Sequence, residues 1–225
     1  MVKIFLDLEM NPIPKEFMIE RELCRNEVIQ IGAVALNAHD SLIGEYEQIV
    51  KPQYNGSIAP VIYRLTGITT EMLDQGVSFE EAIKDFAVWC DYISNSDKYE
   101  IYAWSDNDLI QLQQEMLIKE LTDFFDMQFM NVWTDFQYEF CELLGISSVM
   151  SLDKAVKALD INFVGSQHNA LSDAMNTAKL YQMAQNKEEF DRVMKPIKEM
   201  MEPRKQLSTQ MGSVFDLDMF DFDNG

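Results

Sequence analysis

Near the N-terminus the run VKIFLDLE (2–9) places two carboxylates, Asp7 and Glu9, among mostly branched and aromatic apolar side chains. Such a run reads as a strand buried in a sheet. A strand sends side chains i and i+2 to the same face, so both acids project from one side, roughly 7 Å apart along the backbone. Like charges that close penalise each other. The fold around this strand must therefore bring something to that face that makes holding them worthwhile.

The pattern downstream fixes the class of fold. EVIQIGAVALN (27–37) and EYEQIVKP (45–52) read as two further strands, and three strands on short links give an antiparallel start. The spacing then becomes helical: SFEEAIKDFAVWCDYI (78–93) opens with Ser78 and Glu81, a capping box. YEIYAW (99–104) reads as a strand, NDLIQLQQEMLIKEL (107–121) as a helix, and QFMNVW (128–133) as a fifth strand before a helix ending at CELLG. SLDKAVKAL and NALSDAMNTAKLYQMAQ (169–185) complete the helices. The expectation is an α/β fold, a mixed five-stranded sheet flanked by helices.

Composition narrows the function. No apolar run approaches the ~18 residues of a membrane span, and Met1 leads directly into the first strand without a signal-peptide layout, so a cytoplasmic protein with no membrane partner is expected. Cys24, Cys90 and Cys141 are widely spaced and form neither a disulfide framework nor a zinc motif. A net charge of −20 excludes broad electrostatic capture of nucleic acid, so a nucleic-acid partner would need metal ions or a local basic patch. Most of the fifteen methionines read as core filler.

Further carboxylates stand where ligands gather in α/β sheets, at strand ends and helix starts. AWSDNDL offers Asp106 and Asp108, and HNALSDA offers His168 and Asp173. Oxygen ligands from separate elements could meet on hard divalent cations, which would neutralise their repulsion. Two such ions about 4 Å apart can clamp the attacking and leaving oxygens of a phosphodiester. The residues alone leave open whether Asp108 is a ligand or a helix-capping acid beside Asp106.

Asp-x-Glu on the first strand, an Asp following a later strand and His-x4-Asp near the end together resemble the DEDDh exonucleases, the DnaQ-like branch of the ribonuclease H-like fold. EVIQIGAVAL and LTGIT (65–69) extend the likeness over residues 1–186, closest to ERI-like and KapD-like bacterial members. Asn169 stands where the tyrosine variant of the family carries its Tyr, whereas His168 fits the histidine variant. The resemblance implies that Asp7, Glu9, Asp108 and Asp173 hold two Mg²⁺ or Mn²⁺ ions, with Asp7 bridging them, and that His168 is the general base. It also selects Asp108 over Asp106, implies removal of nucleotides from the 3′ ends of RNA or single-stranded DNA as 5′-monophosphates, and makes Met10, Leu65 and Trp104 candidates for contacting the terminal nucleotide. A polymerase proofreading subunit and a catalytically silent binding module are the alternatives on the same fold.

The expected organisation is an exonuclease domain (1–186), a helical extension (187–205) and a tail (206–225) ending VFDLDMFDFDNG. That tail alternates Phe215, Leu217, Phe220 and Phe222 with aspartates, too short a mixture for a core of its own. Disorder is the plain expectation, and docking on a protein partner the sharper one. Losing its four aspartates changes the net charge from −20 only to −16, so the body itself is acidic.

Overall fold

The computed structural model describes residues 1–146 and 149–201. The acidic-aromatic tail (206–225) lies outside the described residues. β1 (Val2–Pro12) pairs antiparallel with β2 (Asn26–Leu36), which pairs antiparallel with β3 (Leu42–Lys51). Between β1 and β2 lies a short helix, α1 (Met18–Leu23), and after β3 come α2 (Pro60–Thr66) and α3 (Thr70–Gln75). A two-residue strand, β4 (Val77–Ser78), runs parallel to β3 and leads into α4 (Phe79–Ile93). β5 (Tyr99–Ala103) then crosses back to lie parallel to β1, followed by α5 (Asn107–Ile118). β6 (Trp133–Asp135) closes the other edge, and α6 (Phe136–Leu144), α7 (Leu152–Ala158), α8 (Ala170–Gln185) and α9 (Lys187–Met201) follow.

The sheet order β4-β3-β2-β1-β5-β6 is the mixed topology the pattern predicts, with one strand more than expected. The extra strand is β4, whose Ser78 also caps α4 by accepting a hydrogen bond from Glu81 N at 3.2 Å. The fifth expected strand is shifted: residues 128–131 form a 3-10 turn, and only 133–135 pair with β5. Phe129 and Met130 of that turn are buried against α4 and the sheet, so packing rather than strand pairing explains their apolar character.

Alternation along β1 divides the core. Ile4, Leu6 and Leu8 face α4 and α5, packing with Phe86, Leu112 and Met116. Phe5 faces the other way, onto Tyr102 and Tyr181 and towards the cluster built from α6, α7, α8 and α9, where Phe190 and Met194 seat the last helix. By the same parity Asp7 and Glu9 lie on the α8 side. Among the described residues no helix is long and apolar enough to cross a membrane.

A buried ionic network ties β2, α5 and the loop after β3. Lys119 Nζ lies 2.6 Å from Glu115 and 3.1 Å from Glu27, both carboxylates being fully buried. Glu27 accepts hydrogen bonds from the backbone amides of Gln53, Tyr54 and Asn55 at 2.6, 3.0 and 3.1 Å. Glu115 accepts from Val28 N at 2.7 Å and from Gln111 at 2.9 Å. Burial alone would lower the Lys119 pKa, but the two carboxylates hold it above its ordinary value. Removing the cation leaves two buried anions facing each other, and breaking a buried pair from one side costs about 3–5 kcal/mol. Lys119→Met should therefore lower the unfolding free energy measured by urea titration by an amount of that order, and an unfolding free energy within error of wild type would show that the network contributes nothing net.

Candidate active site

The acids of β1 face the residues that seat α8. In the β1–β2 register Asp7 stands opposite Gly32 and Glu9 opposite Gln30. A Cβ at Gly32 would collide with the Leu171 amide nitrogen and the Ala170 carbonyl, so the bare α-carbon admits the first turn of α8 against the sheet. Gln30, buried, accepts a hydrogen bond from Ala170 N at 3.1 Å while its amide donates to Glu47 at 2.8 Å. This contact carries Asp173, in the first turn of α8, to the face occupied by Asp7 and Glu9.

The turn before α8 presents His168. Asn169 caps the helix by accepting from Ser172 N at 2.9 Å, and buried Asn176 accepts from Val164 N and donates to the Val164 and Ser172 carbonyls. His168 sits in the left-handed region at φ 61°, a conformation that costs a non-glycine residue on the order of 1 kcal/mol or more. Its amide donates to the Asp173 carboxylate at 3.0 Å, which holds the turn in that shape. Ligand atoms of Glu9, His168 and Asp173 all lie within 4.8 Å of one another.

Asp108 arrives from the opposite side, in the first turn of α5, 6% exposed and hydrogen-bonded to the backbone of Leu8, between the two acids of β1. Asp106 is exposed at the start of that helix and makes no side-chain cap. Asp7 and Asp108 line a cleft of about 600 Å³ together with Met10 and Trp104. Trp104 is nonetheless mostly core: its ring packs on Phe136 and Phe140, and Nε1 donates to Met150 O at 3.1 Å. Leu65 lies on α2, 46% exposed, and does not line this cleft.

The charges tell the same story as the distances. Burial, with Asp108, Asp173 and Glu9 nearby, drives the Asp7 pKa well above the carboxylate range. Glu9 is pushed up to about 8 by burial and then by Asp173 and Asp108, and Asp173 to about 6 by burial, tempered by its bond from His168 N. Asp108 is likewise raised, chiefly by burial. Four buried or half-buried carboxylates without a side-chain cation among them form an all-oxygen donor set that suits a hard divalent ion, with a histidine at its rim. Sequence reasoning missed Gly32, Gln30 and Asn176, which position the acids without touching substrate. The one sequence signal was the glycine interrupting a β-branched run.

Comparison with known proteins bears on the family and the fold. A family model described as an exonuclease (RNase_T) matches residues 4–181. ERI1 exoribonuclease 2 of Homo sapiens is 29% identical over 174 residues, covering 68% of this chain and 24% of that protein. The probable 3′-5′ exonuclease KapD of Bacillus subtilis (strain 168) is 21% identical over 170 residues, covering 76% of this chain and 78% of that one. The nuclease domain of 3′hExo, a DEDDh family member solved bound to rAMP, superposes with a TM-score of 0.69 at 20% identity, covering 82% of this chain and 92% of that one. Pop2p of S. pombe, in its Mg²⁺- and Mn²⁺-bound form, superposes with a TM-score of 0.57 at 17% identity over 85% of this chain and 87% of that one. The chain spans about a quarter of the length of the human relative.

Two expectations follow from the site. Gly32→Ala must push α8 off the sheet, so it should lower the melting temperature and abolish any rise in it on adding millimolar Mn²⁺. A variant that keeps that rise would separate the site from the helix contact. The second concerns pH. Carboxylates whose folded pKa lies above the unfolded value bind protons in the native state that the unfolded chain has released, so their stabilisation is complete below about pH 4 and is lost as pH rises through about 6 to 8. The chelated protein should therefore melt lower at about pH 8 than at about pH 5, and Mn²⁺ should raise the melting temperature more at the higher pH. A metal effect equal at both would contradict a shared carboxylate cluster.

Proposed function

The chain belongs to the exonuclease family, and from that premise we propose that it is a metal-dependent 3′→5′ exonuclease acting on RNA or single-stranded DNA, with Asp7, Glu9, Asp108, His168 and Asp173 as its working residues. The observation that carries the reading is the mutual proximity of four carboxylates from β1, α5 and α8, with Asp7 and Asp108 lining the cleft and Glu9 and Asp173 beside His168. The names of the two relatives, an exoribonuclease and a 3′-5′ exonuclease, support the direction of attack and favour RNA.

Asp7, Glu9, Asp108 and Asp173 would hold two divalent ions, Mg²⁺ or Mn²⁺. Bound there, the ions would supply the positive charge that attracts the phosphodiester and steadies its transition state. The remaining roles fall to the chain itself. His168 is exposed at the rim, where its imidazole can take the proton of the attacking water, while its backbone bond to Asp173 fixes the ring's starting point. Water attacks phosphorus, the bond to the 3′ oxygen of the preceding nucleotide breaks, and a nucleoside 5′-monophosphate leaves. Met10 and the exposed edge of Trp104, on the cleft wall, would contact the terminal nucleotide, whereas Leu65 on α2 would do so only from outside this cleft.

The test is hydrolysis of 5′-labelled RNA and DNA oligomers with Mn²⁺ and with chelator. Wild type should shorten the strand by single nucleotides from the 3′ end, Asp7→Asn should be inert, and His168→Ala should lose about 10²–10⁴ in turnover at saturating substrate while keeping its fold. Full turnover in His168→Ala would remove the base assignment, and metal-independent cleavage would overturn the whole reading.

A further inference from the structure

The cleft contains one feature that the carboxylates do not use. Among the residues that line it, Asp7, Glu22 and Asp108 are acidic and Arg25 is the single cation. Arg25 is exposed, and among the described residues its side chain makes no hydrogen bond or ion pair. Within this acidic cleft it is the one side chain whose positive charge no acid among the described residues neutralises.

The backbone that presents Arg25 is fixed on every side. Its carbonyl accepts from Ile13 N at 3.0 Å. The next carbonyl, of Asn26, accepts from Cys24 Sγ at 2.9 Å and from Gln111 at 2.8 Å, and the side chain of Glu27 is locked in the buried network. The guanidinium therefore stands on a rigid base with its hydrogen-bonding capacity unspent. Its position is also set: Asn26 pairs with Pro12, which lies about 16 Å beyond Asp7 at the rise of a strand. Asp108, Gln111 and Gln114, one face of α5, carry the cleft from the acids towards that end, about 9 Å along the helix.

We propose that Arg25 binds a backbone phosphate of the substrate strand other than the one being cut. The inference rests on the exonuclease reading: if only the terminal nucleotide is removed, every other phosphate lies upstream, and a stacked strand advances about 3.4 Å per nucleotide, so the cleft spans more than the scissile bond. A guanidinium matches phosphate oxygens in a bidentate fork and needs no metal to do so. It answers how so acidic a chain holds a polyanion: the ions attract the scissile phosphate, and one unpaired arginine holds the strand behind it. Arg25 is a specificity residue for strand length, not a member of the hydrolytic set.

The experiment compares wild type and Arg25→Gln on two substrates with Mn²⁺. One is a six-nucleotide single strand; the other is the p-nitrophenyl ester of thymidine 5′-monophosphate, which has one phosphate and nothing upstream. Arg25→Gln should lose about tenfold in kcat/KM on the strand, through KM, a size expected of one charge-assisted contact. Its dependence of log kcat/KM on log salt should be shallower by about 0.7, the value for one phosphate contact on a single strand. Hydrolysis of the ester and the Mn²⁺-induced rise in melting temperature should match wild type. Arg25→Lys should restore the salt slope but only part of the affinity. Wild-type values for Arg25→Gln on the strand would overturn the proposal, and so would an equal loss on both substrates, which would put Arg25 at the scissile phosphate. If wild type cleaves neither substrate, the exonuclease reading fails first and the proposal falls with it.

Discussion

The contact between α8 and the sheet at Gly32 is the constraint on which the site depends. Helices normally stand off a sheet by the thickness of their side chains, but here the Ala170–Leu171 peptide occupies the space a Cβ would fill. The missing atom brings the first turn of α8 to the level of the β1 side chains, and Gln30, two residues away, completes the seat by accepting from the Ala170 amide. Gly32 and Gln30 are the register partners of Asp7 and Glu9. The same two positions of β2 thus stand beside the acids in the sheet and seat the helix that carries Asp173.

The chain buries acidic groups in two places and treats them in opposite ways. Glu27 and Glu115 share Lys119 and accept five further hydrogen bonds between them, so their charge is absorbed within the fold. Burial raises the Glu115 pKa to about 7 although Lys119 pulls it down, whereas Asp7, Glu9, Asp108 and Asp173 have no such cation, and in Asp7 and Glu9 the neighbouring acids add to the rise. The two groups draw on adjoining elements, β2 and α5 for the first and β1, α5 and α8 for the second, so the difference is not one of available room. The first network fixes the loop after β3 and the backbone near Arg25. The second is left incomplete, which makes sense only if something outside the chain completes it.

Much of the fold was legible because its signals are local. Apolar, β-branched runs mark β1 and β2, Ser78 announces α4 through its cap, and the long periodic helices fall within a few residues of where their patterns place them. What escaped was short or non-local. α1 and α2 have six and seven residues, too few to display a period, and β4 has two. QFMNVW has the apolar content of a strand, yet Phe129 and Met130 are buried from a 3-10 turn, a distinction periodicity cannot draw over six residues. In the site, the acids and His168 stood out because carboxylates in an apolar strand and before a helix are locally incongruous. Gly32, Gln30 and Asn176 did not, since the partners that give them meaning lie 12 to 140 residues away.

These features share one energetic logic. His168 is held at positive φ, the four carboxylates repel, and α8 is forced close to the sheet, so the site opposes folding at several points at once. Two well-packed hydrophobic clusters on either face of the sheet and the Lys119 network supply the compensation. Strain concentrated at one cleft and offset elsewhere is the pattern expected when geometry has been selected for a ligand's sake. Binding of cations would relieve the largest of these terms, the mutual repulsion, and would do so only in the folded state. The stability of the domain and the readiness of its site are then set by the same four side chains, because a group removed to make the protein more stable is a group lost from the cleft.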